Sequence, residues 1–559
     1  MSTNLEKITP PKDLTSEQKS ILFQHIFRRL ADYRNTVTLY GTFECTLSQE
    51  GDNDALEKQR SFEEEINDWA QALLEKAWIV CHEDEEKKSC PKLGPFADTA
   101  MVNLEKLPPQ RDMTKVLNTM LFLDVTTSKQ YSSRTRAFLS SICPLDEEAI
   151  SSTLKNPEQA IEEAQKKAEV TRTEHAERGK LLRTAGVGLA AIGGGLLIGI
   201  TGGLAAPLVG AGVSSILGFL GLGGSIISLL ASGLAGSSVV CGALFGVYGA
   251  RSSASIVERH TKEVDDLALI PVRKHKEGFD TLAVRLCVTG WLDDKEDVTT
   301  PWKIFNGDDT LALQWEIKAL EDLSGAITTL IKSEAIGYVK GQILKRTVLA
   351  GVMASMAPLS LLSVGQIIDN PWMNARSLAI KTGAVLGDLL ANRVFGNRPV
   401  TLAGYSLGSL VIFEALKYLA SLPPSRTTHI VHDVYLFGTP VSTHSGHWAA
   451  VRRVVAGRLV NGYSTKDYVL ALLARASDAT MDVAGIQTVD VRGVENVCCE
   501  DVAGHTMWKR MIGKYLGEIG APGILQSEVK EQVQIQVQEP AEDAAVLTDG
   551  RRQSQDLLS

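Results

Sequence analysis

Charge is missing from one long stretch of this chain. From Thr184 to Ala250 there is no Asp, Glu, Lys, Arg or His, over a length about three times the ~20 residues that span a bilayer. Glycine is dense throughout the run and Pro207 interrupts its middle. Small residues let helices approach closely in lipid, and a soluble domain rarely accepts so long an uncharged segment. The run therefore reads as membrane-inserted, against the plainer alternative of a glycine-rich helical hairpin buried inside a soluble protein. Arg178, Lys180 and Arg183 precede it, and Arg251, Arg259 and Lys262 follow. Basic flanks mark the cytoplasmic side, so an even number of crossings is expected: two helices joined near Pro207 to Gly224, with both ends in the cytosol.

Other absences narrow the function. The net charge is −9 and no Lys/Arg tract suggests a nucleic-acid groove, so nucleic acid is not expected as a partner. The eight cysteines are scattered. Neither Cys81 with Cys90 nor any other set has zinc-ligand spacing, so no metal is expected and the thiols read as reduced, in a cytosolic environment. The opening MSTNLEKITPPKDLTSEQKS has no apolar h-region, hence no cleavable secretory signal. At 559 residues the chain is too long for one typical core.

What is present divides into four parts. Residues 1–183 read as a helical N-terminal domain, with Ser16 as a helix cap, apolar-periodic runs around Ile21 to Leu30, Phe62 to Cys81 and Val116 to Leu123, and a long charged helix opened by Pro157. The glycine-rich membrane hairpin occupies 184–250. Residues 251–524 alternate strands with helices, the pattern of an α/β fold. Expected strands are Leu267–Val272, Leu282–Thr289, Leu311–Glu316, Val400–Ala403, Val431–Phe437, Arg458–Tyr463 and Val494–Cys499, several of them continuous apolar runs suited to a sheet buried on both faces. Between them, Thr347 to Ile368 is uncharged and broken by Pro358. It is open as a lid, a membrane-contacting element or a buried helix pair. Residues 525–559 are polar and Gln/Glu-rich and read as a disordered tail.

The chemistry centres on RPVTLAGYSLGSLVIFEALKYLASL, Arg398 to Leu422. A strand-type run meets Gly404-Tyr405-Ser406-Leu407-Gly408, and Leu410, Phe413, Leu416 and Leu419 then share a helix face. A nucleophile elbow needs this strand, sharp turn and helix, with glycines beside the strained serine. A serine hydroxyl needs a base, and the base a carboxylate. On an α/β-hydrolase sheet those partners follow in the order Ser, acid, His. Of ten histidines only His505 lies beyond the last strands. His444 and His447 come too early and read as helix-start or surface residues. The acid belongs after the penultimate strand, where position favours Asp467 over Asp478, Asp482, Asp490 and Glu495. The oxyanion hole would use the backbone N–H of Leu407 and that of Trp291 or Leu292, at the end of an earlier strand.

LCVTGWL, the DNPW at Asp369 to Trp372, RPVTLAGYSLGS, FGTPV, RLVNGYSTKDYVL and VENV followed by GH resemble the transmembrane and coiled-coil domain-containing protein four family, whose fungal members are regarded as candidate lipases. The resemblance covers roughly Lys180 to Gly520. It implies an α/β-hydrolase domain with Ser406, Asp467 and His505 as the triad. The expected function is a membrane-anchored, cytosol-facing serine hydrolase acting on an ester of a lipid or another apolar acyl substrate, without cofactor. The alternative is a catalytically silent hydrolase-fold protein of membrane interaction or trafficking, with partners bound through the N-terminal helices or the C-terminal tail.

Overall fold

The computed structural model describes residues 3–48, 53–82, 89–167, 170, 217, 224–246, 264, 266–273, 281–332, 371–477 and 482–538. The expected crossing before Gly224, the segment Thr347 to Ile368 and the charged run after Lys167, Val170 apart, lie outside them. The chain forms two compact units. One comprises Met1–Asn35, Asn67–Tyr131 and Phe138–Leu244; the other comprises Thr36–Ile66, Ser132–Ala137 and Phe245–Ser559.

The N-terminal region is helical, with helices Ser16–Thr46, Asn53–Cys81, Gln110–Ser128, Ser133–Ile142 and Glu147–Lys155. The cap of the first is Thr15, not Ser16. Thr15 Oγ1 accepts the Gln18 N–H at 3.2 Å while the Gln18 side chain takes the Thr15 N–H at 3.0 Å, a reciprocal pair that Lys19 could not have made for Ser16. Helix Gln110–Ser128 buries Val116, Leu117, Met120 and Leu121, and its buried Asn118 is satisfied by Lys7 O and the Asp146 N–H, each at 3.0 Å.

Of the uncharged run, residues 224–246 hold two short helices, Gly224–Ala235 and Ser237–Phe245, bent by 63°. Among the described residues no single helix is long and apolar enough to cross a bilayer, although this bent pair passes that test jointly. Gly233 brings the first of the two against Phe122 and Thr126 of helix Gln110–Ser128, so that face meets protein.

The second unit is a mixed α/β fold around a seven-stranded sheet in the order β1-β3-β2-β4-β5-β6-β7. Its strands are β1 (Ala268–Pro271), β2 (Val284–Val288), β3 (Asp309–Gln314), β4 (Val400–Tyr405), β5 (Val431–Phe437), β6 (Leu459–Tyr463) and β7 (Val494–Cys498). All neighbours are parallel except β1 with β3. β2, β4 and β5 are buried at every residue, as their mainly apolar sequences suit when both faces are covered, and the charged residues among them are paired: Arg285 with Asp308, and Asp433 with the Tyr435 hydroxyl. From β2 the chain steps outward to β3 and then crosses back to β4 on the other side. This reversal falls at the C-terminal ends of β2 and β4, the usual ligand position in open α/β sheets.

The segment expected as a disordered tail from Leu525 begins with a helix, Gln526–Gln538. Val529 is buried and Gln532 donates to Pro301 O at 2.8 Å, so a few contacts order a stretch whose composition looks fully solvated. Residues 539–559 lie outside the described set.

At the N-terminal end of the sheet Arg285 and Arg136 both pair with Asp308 at 2.9 Å. Burial pushes the Asp308 carboxyl up, but the two guanidinium groups outweigh it and hold the carboxyl down at about 2.

Candidate active site

Ser406 directly follows β4 and precedes the helix Leu407–Ser421. Its backbone sits at φ 54, ψ −131, a conformation that costs a residue with a side chain about 1–3 kcal/mol. The strain persists because the turn is held on both sides: Ser406 N–H donates to Phe437 O at 2.9 Å, and Ser409 N–H and Leu410 N–H return to Ser406 O. A Cβ on Gly408 would fall 2.0 Å from Val288 O, backbone against backbone. At Gly404 it would meet Ile412 Cδ1 at 2.8 Å, a side-chain end, with the Gly408 carbonyl carbon at 3.0 Å. Gly408 is thus the more strictly required of the two elbow glycines.

The structure brings Ser406, His505 and Asp467 together from three loops at the C-terminal edge of the sheet. Ser406 Oγ lies 2.6 Å from His505 Nε2, and His505 Nδ1 lies 2.8 Å from Asp467 Oδ2. An ionised carboxylate can only accept, so Nδ1 carries the proton and Nε2 is left to accept from the serine hydroxyl. Each of the three is 1% exposed. The low dielectric of such a site strengthens every charge interaction within it.

Asp467 follows β6 and accepts two further N–H groups, Leu470 N at Oδ1 (3.0 Å) and Trp508 Nε1 at Oδ2 (2.8 Å). The other carboxylates considered do not meet His505: Asp482 and Asp490 are exposed, Glu495 pairs with Arg458, and Asp478 lies outside the described residues. His444 immediately precedes helix Ser445–Val454, and His447 lies in its first turn with its ring 5.0 Å from that of His444.

The loop after β2 passes over the start of the elbow helix. A Cβ on Gly290 would lie 2.3 Å from Leu407 N and 2.2 Å from Gly408 N, so the chain entering Trp291 and Leu292 runs against the backbone of the residue after Ser406. Leu407, first in its helix, has no intrahelical acceptor for its N–H. Trp291 and Leu292 are buried, and the Trp291 ring stands at 86° to the His505 ring with centroids 6.5 Å apart. Tyr405 Oη donates to Trp291 O at 3.3 Å. Burial first, and then the charge of Asp297, raise the Tyr405 phenol well above its ordinary range, so it stays protonated as that donor.

Sequence reasoning missed Tyr405 and Trp508 as parts of this site. Tyr405 stands inside the elbow motif, and Trp508 follows His505 by three positions, a helical spacing that puts both on one face. Nothing in the spacing says that the Trp508 indole turns toward Asp467.

The profile of a family described as a protein of unknown function, DUF726, matches residues 179–522, more than half of the chain. The chain belongs to the DUF726 family. That match contains the uncharged run and all three of Ser406, Asp467 and His505. A similar protein is "Uncharacterized membrane protein C6F6.13c" of Schizosaccharomyces pombe, 37% identical over 72% of this chain and 69% of its own length. "Transmembrane and coiled-coil domain-containing protein STS1" of Oryza sativa subsp. japonica is 38% identical over 58% of this chain and 50% of its own. "Probable lipase MIL1" of Saccharomyces cerevisiae is 32% identical over 60% of this chain and 31% of its own. The chain thus spans less than two thirds of the rice and budding-yeast relatives. No solved structure matches this DUF726 chain.

Proposed function

We propose that this protein is a serine hydrolase of the α/β-hydrolase fold that cleaves a carboxylic ester of a lipid or another apolar acyl substrate. The observation that carries the reading is the continuous hydrogen-bonded line Ser406 Oγ, His505, Asp467 at 2.6 and 2.8 Å, reached from a strained strand-to-helix turn. In the reaction Ser406 Oγ attacks the ester carbonyl as its proton passes to His505 Nε2. Asp467 holds the imidazole orientation and stabilises its positive form. The oxyanion is received by the N–H of Leu407 with that of Trp291 or Leu292. His505 then returns the proton to the leaving alcohol, and a water repeats the sequence on the acyl-serine.

The lipid preference is supported by the apolar run encoded next to the catalytic unit, by the name of the budding-yeast relative and by the resemblance to the transmembrane and coiled-coil protein four family. Membrane association is supported by the names of the fission-yeast and rice relatives. The basic flanks of Thr184 to Ala250 favour a hairpin, with 1–183 and 251–524 both on the cytosolic side.

Purified protein assayed on a series of p-nitrophenyl acyl esters tests the reading. Ser406→Ala and His505→Ala should each lower turnover by about 10⁴-fold or more, and the double variant little further, because the groups act as a unit. Turnover retained by Ser406→Ala would exclude it.

A further inference from the structure

One turn of chain beyond His505 reaches back to the loop after β2. Lys509 is 9% exposed, yet its ammonium is not left unpaired: Nζ lies 2.9 Å from Asp297 Oδ2 and also contacts Asp293 Oδ2. That same Asp297 Oδ2 accepts the backbone N–H of Asp293 at 2.8 Å and of Asp294 at 3.4 Å. Asp293 Oδ1 in turn accepts the Ser324 hydroxyl at 3.1 Å. These bonds fix the residues directly after Trp291 and Leu292. The residues directly before are fixed as well, since Trp302 Nε1 donates to Thr289 Oγ1 at 2.9 Å and Trp315 Nε1 to Thr289 O at 3.0 Å. Lys509 belongs to the stretch that also carries His505, the 3₁₀ turn His505–Met507 continued by helix Trp508–Glu518.

We propose that Lys509, through Asp297, is a positioning residue that sets the N–H groups of Trp291 and Leu292 against the substrate carbonyl, in register with His505. The proposal rests on the serine-hydrolase reading. A surface ion pair would contribute little. This one is largely buried, with side chains 10% and 12% exposed, and its loss leaves an uncompensated charge beside the loop. The contact to Asp293 counts for less, because that side chain is 50% exposed. Trp508 and Lys509 then divide the work of one helical turn: Trp508 holds the acid, and Lys509 holds the oxyanion donors.

The test uses the full-length protein and its Lys509→Met, Lys509→Arg and Asp297→Asn variants. Four quantities are measured: kcat and KM on a p-nitrophenyl ester, the affinity for an alkyl trifluoromethyl ketone, and the melting temperature. With the ketone, Ser406 Oγ bonds to the carbonyl carbon, the π pair becomes an oxyanion and the serine proton passes to His505, so its affinity reports on the oxyanion donors. Lys509→Met and Asp297→Asn should lower kcat by about 10²-fold, the cost of misplacing a reacting group by about 1 Å, with KM little changed. Ketone affinity should fall in step with kcat, and Lys509→Arg should recover part of both. Unchanged kcat in a folded variant overturns the proposal, as does a fall in kcat with ketone affinity intact. If Lys509→Met fails to fold, Asp297→Asn, which keeps the shape and one acceptor oxygen, is read by the same criteria. Wild-type protein inert toward both ester and ketone would overturn the hydrolase reading itself, and this inference with it.

Discussion

Replacing Gly290 with alanine places a methyl carbon where backbone already stands. The added Cβ would lie 2.2 Å from Gly408 N, 2.3 Å from Leu407 N and 2.4 Å from Tyr405 O, whereas ordinary contact begins near 3.4 Å. None of these three atoms can swing aside. They belong to β4 and the elbow helix, which are locked to β5 through the Ser406 N–H bond to Phe437 O. The loop must therefore move, and the gap must open by about 1 Å. A shift of that size costs about 10²-fold in rate when it separates a carbonyl from its hydrogen-bond donors. The overpacking itself should cost about 1–3 kcal/mol of stability, small enough to leave a folded protein. Initial rates on a p-nitrophenyl ester, with circular dichroism and melting temperature on the same sample, separate the two effects. A folded Gly290→Ala protein with wild-type turnover would refute the placement of the oxyanion donors beside Leu407.

Three other outcomes follow from the geometry. Trp508→Phe keeps one aromatic ring but removes the pyrrole part of the indole with the N–H that Asp467 Oδ2 accepts at 2.8 Å, and should cost at least about 1.5–3 kcal/mol, the worth of a hydrogen bond to a charged group with the cavity cost added, read as a lowered urea midpoint together with reduced kcat. Asp308, held down at about 2 when folded and near 3.9 when unfolded, contributes stability that is present above pH ~4 and lost as pH falls from ~4 toward ~2. Asp308→Asn should flatten that part of the stability profile measured by urea unfolding, and Asp308→Ala should cost about 3–5 kcal/mol at neutral pH by leaving Arg136 and Arg285 uncompensated. If the uncharged run forms the proposed hairpin, alkaline carbonate should leave the intact protein in the membrane pellet, and protease added to sealed cytosol-side-out vesicles should degrade both the N-terminal region and the region around Ser406; protection of either would refute the even number of crossings.

The central strands were legible because they are short, mainly apolar runs bounded by turn residues, a pattern that burial on both faces favours. Each of the seven expected strands overlaps an observed one, with no end differing by more than two residues. That Ser406, Asp467 and His505 would meet was legible because they follow β4, β6 and β7, whose C-terminal ends lie at one edge of the sheet. What was not legible depended on contacts distant in sequence. Lys509 meets Asp297 across 212 residues, and Trp508 meets Asp467 across 41. Helix Gln526–Gln538 was hidden by its polar composition, since burial of Val529 and one Gln532 hydrogen bond leave no periodic signature. The Thr15 cap, by contrast, was readable: Gln18 stands three residues on, as a reciprocal cap requires, and Ser16 has Lys19 at that place.

The central claim is that Ser406 is an activated nucleophile. A fluorophosphonate reacts with a serine whose proton is drawn off by a base, so the most direct measurement is to label the wild-type protein and locate the adduct by mass spectrometry of its peptides. An activated Ser406 should give a single modified residue, Ser406 itself, with labelling abolished in Ser406→Ala and nearly so in His505→Ala. A folded wild-type protein that takes up no label at Ser406, or that is labelled equally well without His505, would contradict it.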